Sequence, residues 1–594
     1  MRIMTESVFL TAKQQAADLV KNALAALISE GALPDSPPPF YAVEIPADRK
    51  NGDFATNAAM AGAKAYRLPP RKLAELLVSK FDFARTFFAR AEIAGPGFIN
   101  FYLSDAFYTA AVGEVLALGA KFGGSSFGNG KKVLIEFVSA NPTGPAHMGN
   151  ARGGALGDCL AAIMQAAGYE VSREFYVNDA GNQIAKFGLS LETRYLQLFE
   201  GEEKHPMPDD AYRGADILEH AKAFAEQNGD KYVKAVSDER KKALVAFALP
   251  KNVSYLRANM DKYRICYDLW FYESSLYKMG EVARVIELLK TSGKTYQKNG
   301  ALWFMVGDEP DSPDSDPNAG DEEPPVEAAP GEAGKVFHKD FVLVRSNGFP
   351  TYIVPDIAYH YNKLVTRGFD LAIDVLGSDH HGYVRRMKQI LPAIGVAEDR
   401  FEAILMQMVK LTRGGEIVKM SKRTGNAVTL TDLLDEIPTD AVRFLFNMRT
   451  PDSQMEFDLD LALEQTAQNP VYYTQYAHAR ICSIVKNLAA EGIARREPTA
   501  AELALLTAGE ERNLIAYMTT LPSVVIDASA TRDPSRITRF AVTLATLFHK
   551  FYTECRVKTD DKALTNARLS LCLAVKTALC NILRMLKIST PETM

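Results

Sequence analysis

The sequence predicts a multidomain α/β protein: a doubly wound parallel-sheet domain between an N-terminal α+β unit and a C-terminal all-α helical bundle. Three observations predict it. Residues 131–138, KKVLIEFV, read as a buried strand, followed by a loop, an amphipathic stretch ending at Gly168 and a second strand, EVSREFYV; that βαβ unit implies parallel strands joined by a right-handed crossover. Upstream of it helical spacing and strand-like alternation are mixed, whereas from Thr431 onward the spacing is helical almost throughout. Finally, 594 residues at 47% apolar content give room for about four domains and exclude global disorder.

The elements follow in order. Residues 12–33 carry apolar positions at helical spacing up to Gly31, and RKLAELLVSKF follows Pro69 and Pro70 as a second helix. The run IAGPGFINFYLS at 93–104 alternates like one strand, and the Gly/Ser-rich stretch 122–130 closes this part, so the first domain is set at 1–118. The second is set at 119–465, Rossmann-like, with further strands expected at 340–345, 371–376 and 401–411 and helices at 356–367 and 383–394. A largely helical insertion is expected near 185–290, and the third domain at 466–594.

Charge is unevenly placed. The 68 basic and 73 acidic residues nearly balance, but residues 308–334 hold ten acids, six prolines and no Lys or Arg. Such a segment cannot bury enough apolar surface to order itself and is expected to be a solvated, disordered insert. The remainder, with 68 basic against 63 acidic residues, is mildly basic and compatible with a polyanionic partner. Residues 531–594 carry eleven basic against five acidic residues interleaved with aromatics. Six cysteines without a C-x-x-C pair give neither a disulfide framework nor a zinc ribbon. A reducing, cytoplasmic setting is the natural reading, with no protein-bound metal. No run approaches a membrane span, and the short apolar run Val8–Leu10 does not make a signal peptide.

Two phosphate-loop patterns fail. Gly293-Lys294-Thr295 lacks the glycine five positions upstream, where Leu288 stands, and Gly130-Lys131 has Ser125 there. The loop NPTGPAHMGN differs, because a parallel strand delivers it to a helix N-terminus, where α/β sheets bind ligands and free N–H groups favour phosphate. There Gly149 can let a flat base lie on the backbone, and the His147 imidazole can hydrogen-bond a phosphate oxygen. Downstream, GEIVKMSKRTGN sets Lys419, Met420, Ser421 and Lys422 in a loop bracketed by glycines. Two lysines and a serine there suit a triphosphate whose charge grows as pyrophosphate departs.

Together, HMGN and KMSK resemble the paired signatures of class I aminoacyl-tRNA synthetases. The resemblance extends over nearly the whole chain to the bacterial-type arginyl-tRNA synthetase family, through GDFATNAAM, GPGFINFYL, SANPTGPAHMGNARGGALGD, FYVNDAGNQI, YDLWFYESSLY, TYIVPDIAYHYNK, GSDHHGYV, DAVRFLF and NPVYYTQYAHARI. It implies a tRNA-binding N-terminal domain, a class I catalytic domain and an α-helical anticodon-binding domain. It further implies that Asn141 and Glu273 contact arginine, that Tyr352 and Asp356 recognise its guanidinium, and that Gly377, Asp379 and His381 contact ribose and adenine. A planar five-donor cation suits a fixed carboxylate and a phenolic oxygen four positions apart on a helix. Two departures stand out: Asn150 replaces the second histidine of many class I signatures, and Gly144 occupies the place of an upstream lysine seen where the first KMSK lysine is missing.

The implied reaction joins L-arginine to its tRNA through an arginyl-adenylate, with ATP and its Mg²⁺ as the substrate complex. His147, Asn150, Lys419 and Lys422 carry the catalytic roles, and the protein is expected to be a monomer. Three alternatives are a small-molecule nucleotidyltransferase of the same superfamily, an RNA-binding paralogue with a dead site, and a synthetase for another amino acid.

Overall fold

The computed structural model describes residues 7–306, 340–418 and 428–594. The acidic segment 308–334 and the residues Lys419, Met420, Ser421 and Lys422 lie outside the described residues. The chain divides into two compact units, Met1–Phe127 with Thr466–Thr531 and Arg536–Met594, and Gly128–Gln465 with Arg532–Ser535.

In the first unit a four-stranded antiparallel sheet runs Val43–Glu44, Phe54–Thr56, Phe98–Leu103, Phe88–Ala94. The expected single strand 93–104 is instead the turn of a hairpin: Gly95 and Gly97 take positive φ and fold Phe98–Leu103 back on Phe88–Ala94. Gly-Pro-Gly punctuates what alternation alone reads as continuous. The helices Val8–Ser29, Pro70–Ser79 and Asp105–Leu118 share this unit with Pro470–Ala490, Ser535–Glu554 and Lys562–Met585. Asn581 donates to the carbonyls of Gly119 at 2.8 Å and Phe122 at 3.0 Å, joining the last long helix to the end of the N-terminal segment.

The second unit is built on a five-stranded, all-parallel sheet in the order Phe401–Met406, Leu371–Gly377, Lys132–Phe137, Glu170–Val177, Leu269–Tyr272. Three expectations change here. The strand expected at 340–345 forms as Phe341–Val344, but in a separate antiparallel sheet with Ala301–Phe304 and Thr295–Lys298; its alternating burial suits a one-sided sheet. The stretch 401–411 breaks after Met406, and Val409–Arg413 joins a small sheet with Glu416–Ile417 and Met455–Asp458. The helical insertion ends at Lys262, because Leu269–Tyr272 is a strand of the parallel sheet. Its helices Gly181–Glu200, Ala215–Asn228 and Ser237–Lys262 enclose their own core around Phe187, Tyr195, Phe224 and Leu244.

The helix expected at 356–367 is Ile353–Tyr361 followed by a π-helical turn, Asn362–Thr366. The helix expected at 383–394 is His381–Ile390 followed by the 3₁₀ turn Leu391–Ile394. On the helix Met148–Ala166, Asp158 is buried between two arginines, Arg173 at 2.8 Å and Arg443 at 2.6 Å. The buried guanidinium of Arg152 caps the carbonyls of Gln407, Thr450 and Ser453 at 2.7, 2.9 and 3.1 Å. These contacts fix the start of that helix against the segments on either side of Val409–Arg413.

Candidate active site

The carboxyl ends of the parallel strands converge on the start of the helix Met148–Ala166. His147 is its N-cap: the Gly149 N–H donates to His147 Nδ1 at 3.1 Å, while the His147 N–H donates to Asn150 Oδ1 at 3.1 Å. This reciprocal cap occupies two backbone donors that an isolated helix end would leave for an anion. In a neutral ring accepting at Nδ1, the proton is assigned to Nε2, so His147 Nε2 and the Asn150 amide nitrogen are the side-chain donors left. Gly149 fits the cap closely, since a Cβ there would lie 3.0 Å from the imidazole and the ring would have to give by a few tenths of an ångström.

The approach to this loop is strained. After Lys132–Phe137, Val138 and Ser139 both adopt left-handed conformations, φ 70° and 40°, which for a β-branched residue is an outlier costing about 1–3 kcal/mol. Ser139 Oγ holds the turn by donating to Glu136 at 2.8 Å and accepting the Tyr176 N–H at 3.1 Å. Asn252 donates to Pro142 O at 2.9 Å, tethering the loop beyond the exposed Asn141.

A second cluster is acidic, with Glu273 buried and Asp356 partly buried. Glu273 opens the helix Glu273–Lys278, whose start is held by Asp179 accepting from the Ser274 N–H at 2.8 Å and Ser274 Oγ at 2.7 Å. With its amide oriented by the surrounding acceptors, Asn178 donates to Glu273 Oε2 at 3.0 Å. Burial chiefly, with the nearby Asp179 charge, pushes the Glu273 carboxyl up to about 7, against the opposing pull of Tyr176. Asp356 stands in the first turn of Ile353–Tyr361, and burial together with the charge of Glu273 pushes its carboxyl well above the ordinary range. Tyr176 lies within the field of both acids and is raised by burial and by their charges. Two acidic groups brought together beside Tyr176 and raised above their ordinary range suit a ligand that brings positive charge.

Tyr352 is the N-cap of that helix and is 58% exposed, its hydroxyl accepting from Arg386 at 3.0 Å. Gly377 ends the strand Leu371–Gly377, where a Cβ would meet Asp379 Oδ1 at 2.3 Å. Asp379 and His381 are exposed on the turn and helix that follow. Thus Glu273 and Asp356 come together with Tyr176, while Asp379 and His381 follow the end of a neighbouring strand.

Residue-by-residue reading of the sequence passes over Tyr176 and Lys363. The signal for the lysine was there: Glu136 and Asp374 interrupt the apolar runs KKVLIEFV and LAIDVL, and buried acids need a partner. In the helical module, Tyr473 and Tyr476 pack on His549 at 4.9 and 5.7 Å between ring centres, and the Arg480 guanidinium lies 4.8 Å from the Tyr476 ring and 5.0 Å from that of Tyr552. Burial, with the charge of Arg480, lowers His549 to about 4.

A parallel sheet whose strand ends carry an HMGN-capped helix and a buried acidic pocket defines a class I tRNA synthetase, and residues 111–487 match the model of the class I (R) catalytic domain. Residues 14–103 match the arginyl tRNA synthetase N terminal domain and residues 474–594 the DALR anticodon binding domain. The chain belongs to the arginyl-tRNA synthetase family. It is 48% identical to the arginine–tRNA ligase of Caldanaerobacter subterraneus subsp. tengcongensis, covering 99% of this chain and 100% of the relative. To that of Acetivibrio thermocellus it is 44% identical, covering 98% and 99%. Its fold is that of the Thermus thermophilus arginyl-tRNA synthetase, with a TM-score of 0.70 over 97% of this chain and 100% of that one at 22% identity.

Proposed function

We propose that this chain charges its cognate tRNA with L-arginine in two ATP-dependent steps. In the first, the arginine carboxylate attacks the α-phosphate of ATP, forming arginyl-adenylate and releasing pyrophosphate. In the second, the 2′- or 3′-hydroxyl of the terminal tRNA adenosine attacks the adenylate carbonyl, forming the arginyl ester and releasing AMP. Neither step calls for a protein nucleophile, so the residues act by positioning and by stabilising charge.

The observation that carries the reading is the pairing of buried Glu273 with partly buried Asp356, both raised above the ordinary carboxyl range. Asp356 and Tyr352 are assigned to the guanidinium, and Asn141 and Glu273 to the rest of the amino acid. Gly149, Gly377, Asp379 and His381 are assigned to the nucleoside, and the donors of His147 and Asn150 to the phosphate under attack. Lys419 and Lys422, with Met420 and Ser421, are assigned to the departing phosphates, and Mg²⁺ arrives with ATP. The aromatic and arginine cluster on Pro470–Ala490 suits stacking of unpaired bases, and the domain bounds 1–118, 119–465 and 466–594 are retained with it. A monomer in the cytoplasm is the working state of this reading. A small-molecule nucleotidyltransferase would leave both flanking domain matches without a purpose.

Pyrophosphate exchange with each amino acid, with and without tRNA, tests it. Exchange should depend on arginine and on tRNA together. Exchange driven by another amino acid would overturn the assignment of substrate, and robust exchange from arginine alone would overturn the requirement for tRNA.

A further inference from the structure

The acidic pocket rests on a buried ionic network. Lys363, fully enclosed on the π-helical turn Asn362–Thr366, places its ammonium 2.5 Å from Glu136 Oε2 and 2.9 Å from Asp374 Oδ1. Asp374 bonds His360 Nε2 at 2.8 Å through its other oxygen, and His360 Nδ1 bonds the Asp356 carbonyl at 2.8 Å. Glu136 in turn receives Ser139 at the strained turn. A π-turn inserts an extra residue into a helix and redirects the side chains on it, a device frequent at functional sites. Here its lysine points into the sheet, where an amphipathic α-helix would have packed an apolar residue.

We infer that Lys363 is a positioning residue for the amino-acid subsite: its buried ammonium balances Glu136 and Asp374, and through Asp374 and His360 it holds the segment that presents Asp356 to arginine. This rests on the role given to Asp356 above. The groups facing Asp356 are mostly acidic or phenolic. Glu273 and Tyr277 come from Glu273–Lys278, Glu136 from Lys132–Phe137 and Tyr176 from Glu170–Val177. Asp374 comes from Leu371–Gly377 and Tyr383 from His381–Ile390, with His360 and Lys363 on Asp356's own segment. Burial and the three neighbouring carboxylates raise Asp356, and Lys363 works against them. Removing the ammonium leaves buried acids without their counter-charge, and the pocket then relieves the repulsion by holding protons.

The test is the pH dependence of arginine kcat/KM in tRNA charging by the full-length chain. In Lys363→Met the pH at which kcat/KM reaches half its high-pH plateau should move up by at least one unit, with arginine KM at pH 7.5 raised at least tenfold and ATP KM within twofold. The charge-balanced Lys363→Met/Glu136→Gln variant should bring the midpoint back towards wild type, which a packing role for the lysine does not predict. A folded Lys363→Met enzyme with unchanged midpoint and KM, or a double variant no better than the single, overturns the inference. If Lys363→Met does not fold, the double variant is compared with Glu136→Gln: a higher midpoint in the double supports the inference and an equal one overturns it. Asp356→Asn separates the two readings, since an unchanged arginine KM there removes Asp356 from arginine recognition whatever Lys363 does.

Discussion

His147 and Thr429 are paired backbone to backbone as an isolated antiparallel bridge. Around it the Met148 N–H donates to Val428 O at 3.3 Å and the Leu430 N–H to Ala146 O at 2.9 Å. Thr429 is itself the N-cap of Leu430–Glu436, in a reciprocal cap with Asp432. The chain leaving the KMSK segment is therefore bonded directly to the HMGN loop, and two helix starts are fixed side by side.

Gly149→Ala tests how closely that loop is fitted. A Cβ at 3.0 Å from the imidazole pushes the capping ring aside by a few tenths of an ångström. Adenylate formation should fall at least tenfold, with thermal stability changed by little more than the loss of a cap, about 1 kcal/mol. Single-turnover activation and a melting curve on the same sample measure both.

Replacing Lys419 or Lys422 by Ala should slow adenylate formation far more than it weakens arginine binding, because the charge they meet develops on the departing pyrophosphate. One such donor is worth about 3 kcal/mol. Unchanged single-turnover activation in both variants would remove the loop from the mechanism.

Glu273 gives a pH signature with a definite sign. Its carboxyl, raised to about 7 from 4.5, keeps its proton in the folded protein over a range where the unfolded chain has released it. Stability attributable to this group is thus greatest at low pH and is lost as pH rises from about 4.5 to 7. Glu273→Gln should be more stable than the parent above pH 7, by at most about 3 kcal/mol, and indistinguishable below pH 4. Urea unfolding at the two pH values decides it. Arginine kcat/KM at pH 7.5 should be at least tenfold lower in the variant than in the parent.

Replacing 308–334 by a short Gly/Ser bridge should leave charging intact, since its ten acids and six prolines without aromatics are not expected to build core and shortening a loop changes closure entropy by less than about 1 kcal/mol. A folded deletion variant that fails to aminoacylate would assign the insert a function.

Much of the fold was legible because it is local. Lys132–Phe137 and Glu170–Val177 are apolar runs bounded by turn residues, and the helix between them has its cap and its Gly168 stop. Leu269–Tyr272 was hidden because four residues carry no period of their own and sit among helices. Phe341–Val344 was found as a strand but given the wrong sheet, since partner choice is a property of the whole domain. Glu273 and Asp356 could be named from family resemblance, yet nothing in the spacing of residues 273 and 356 says that they share one buried pocket. Lys363 was read as part of an ordinary helix because the sequence gives no sign of the π-turn.

The bonds from Asn581 to Gly119 and Phe122 have a consequence for synthesis of the chain. They join residues 462 and 459 positions apart, so at roughly 5–20 residues per second the N-terminal segment waits about 20–90 s for its partner helix to be made. Meanwhile the face of Asp105–Leu118 that will meet that helix stays uncovered, while all strands of the parallel sheet have already been translated. One helix face of the first unit is therefore completed only after the whole parallel sheet of the second has been made, and that face is where a chaperone has the longest time to act.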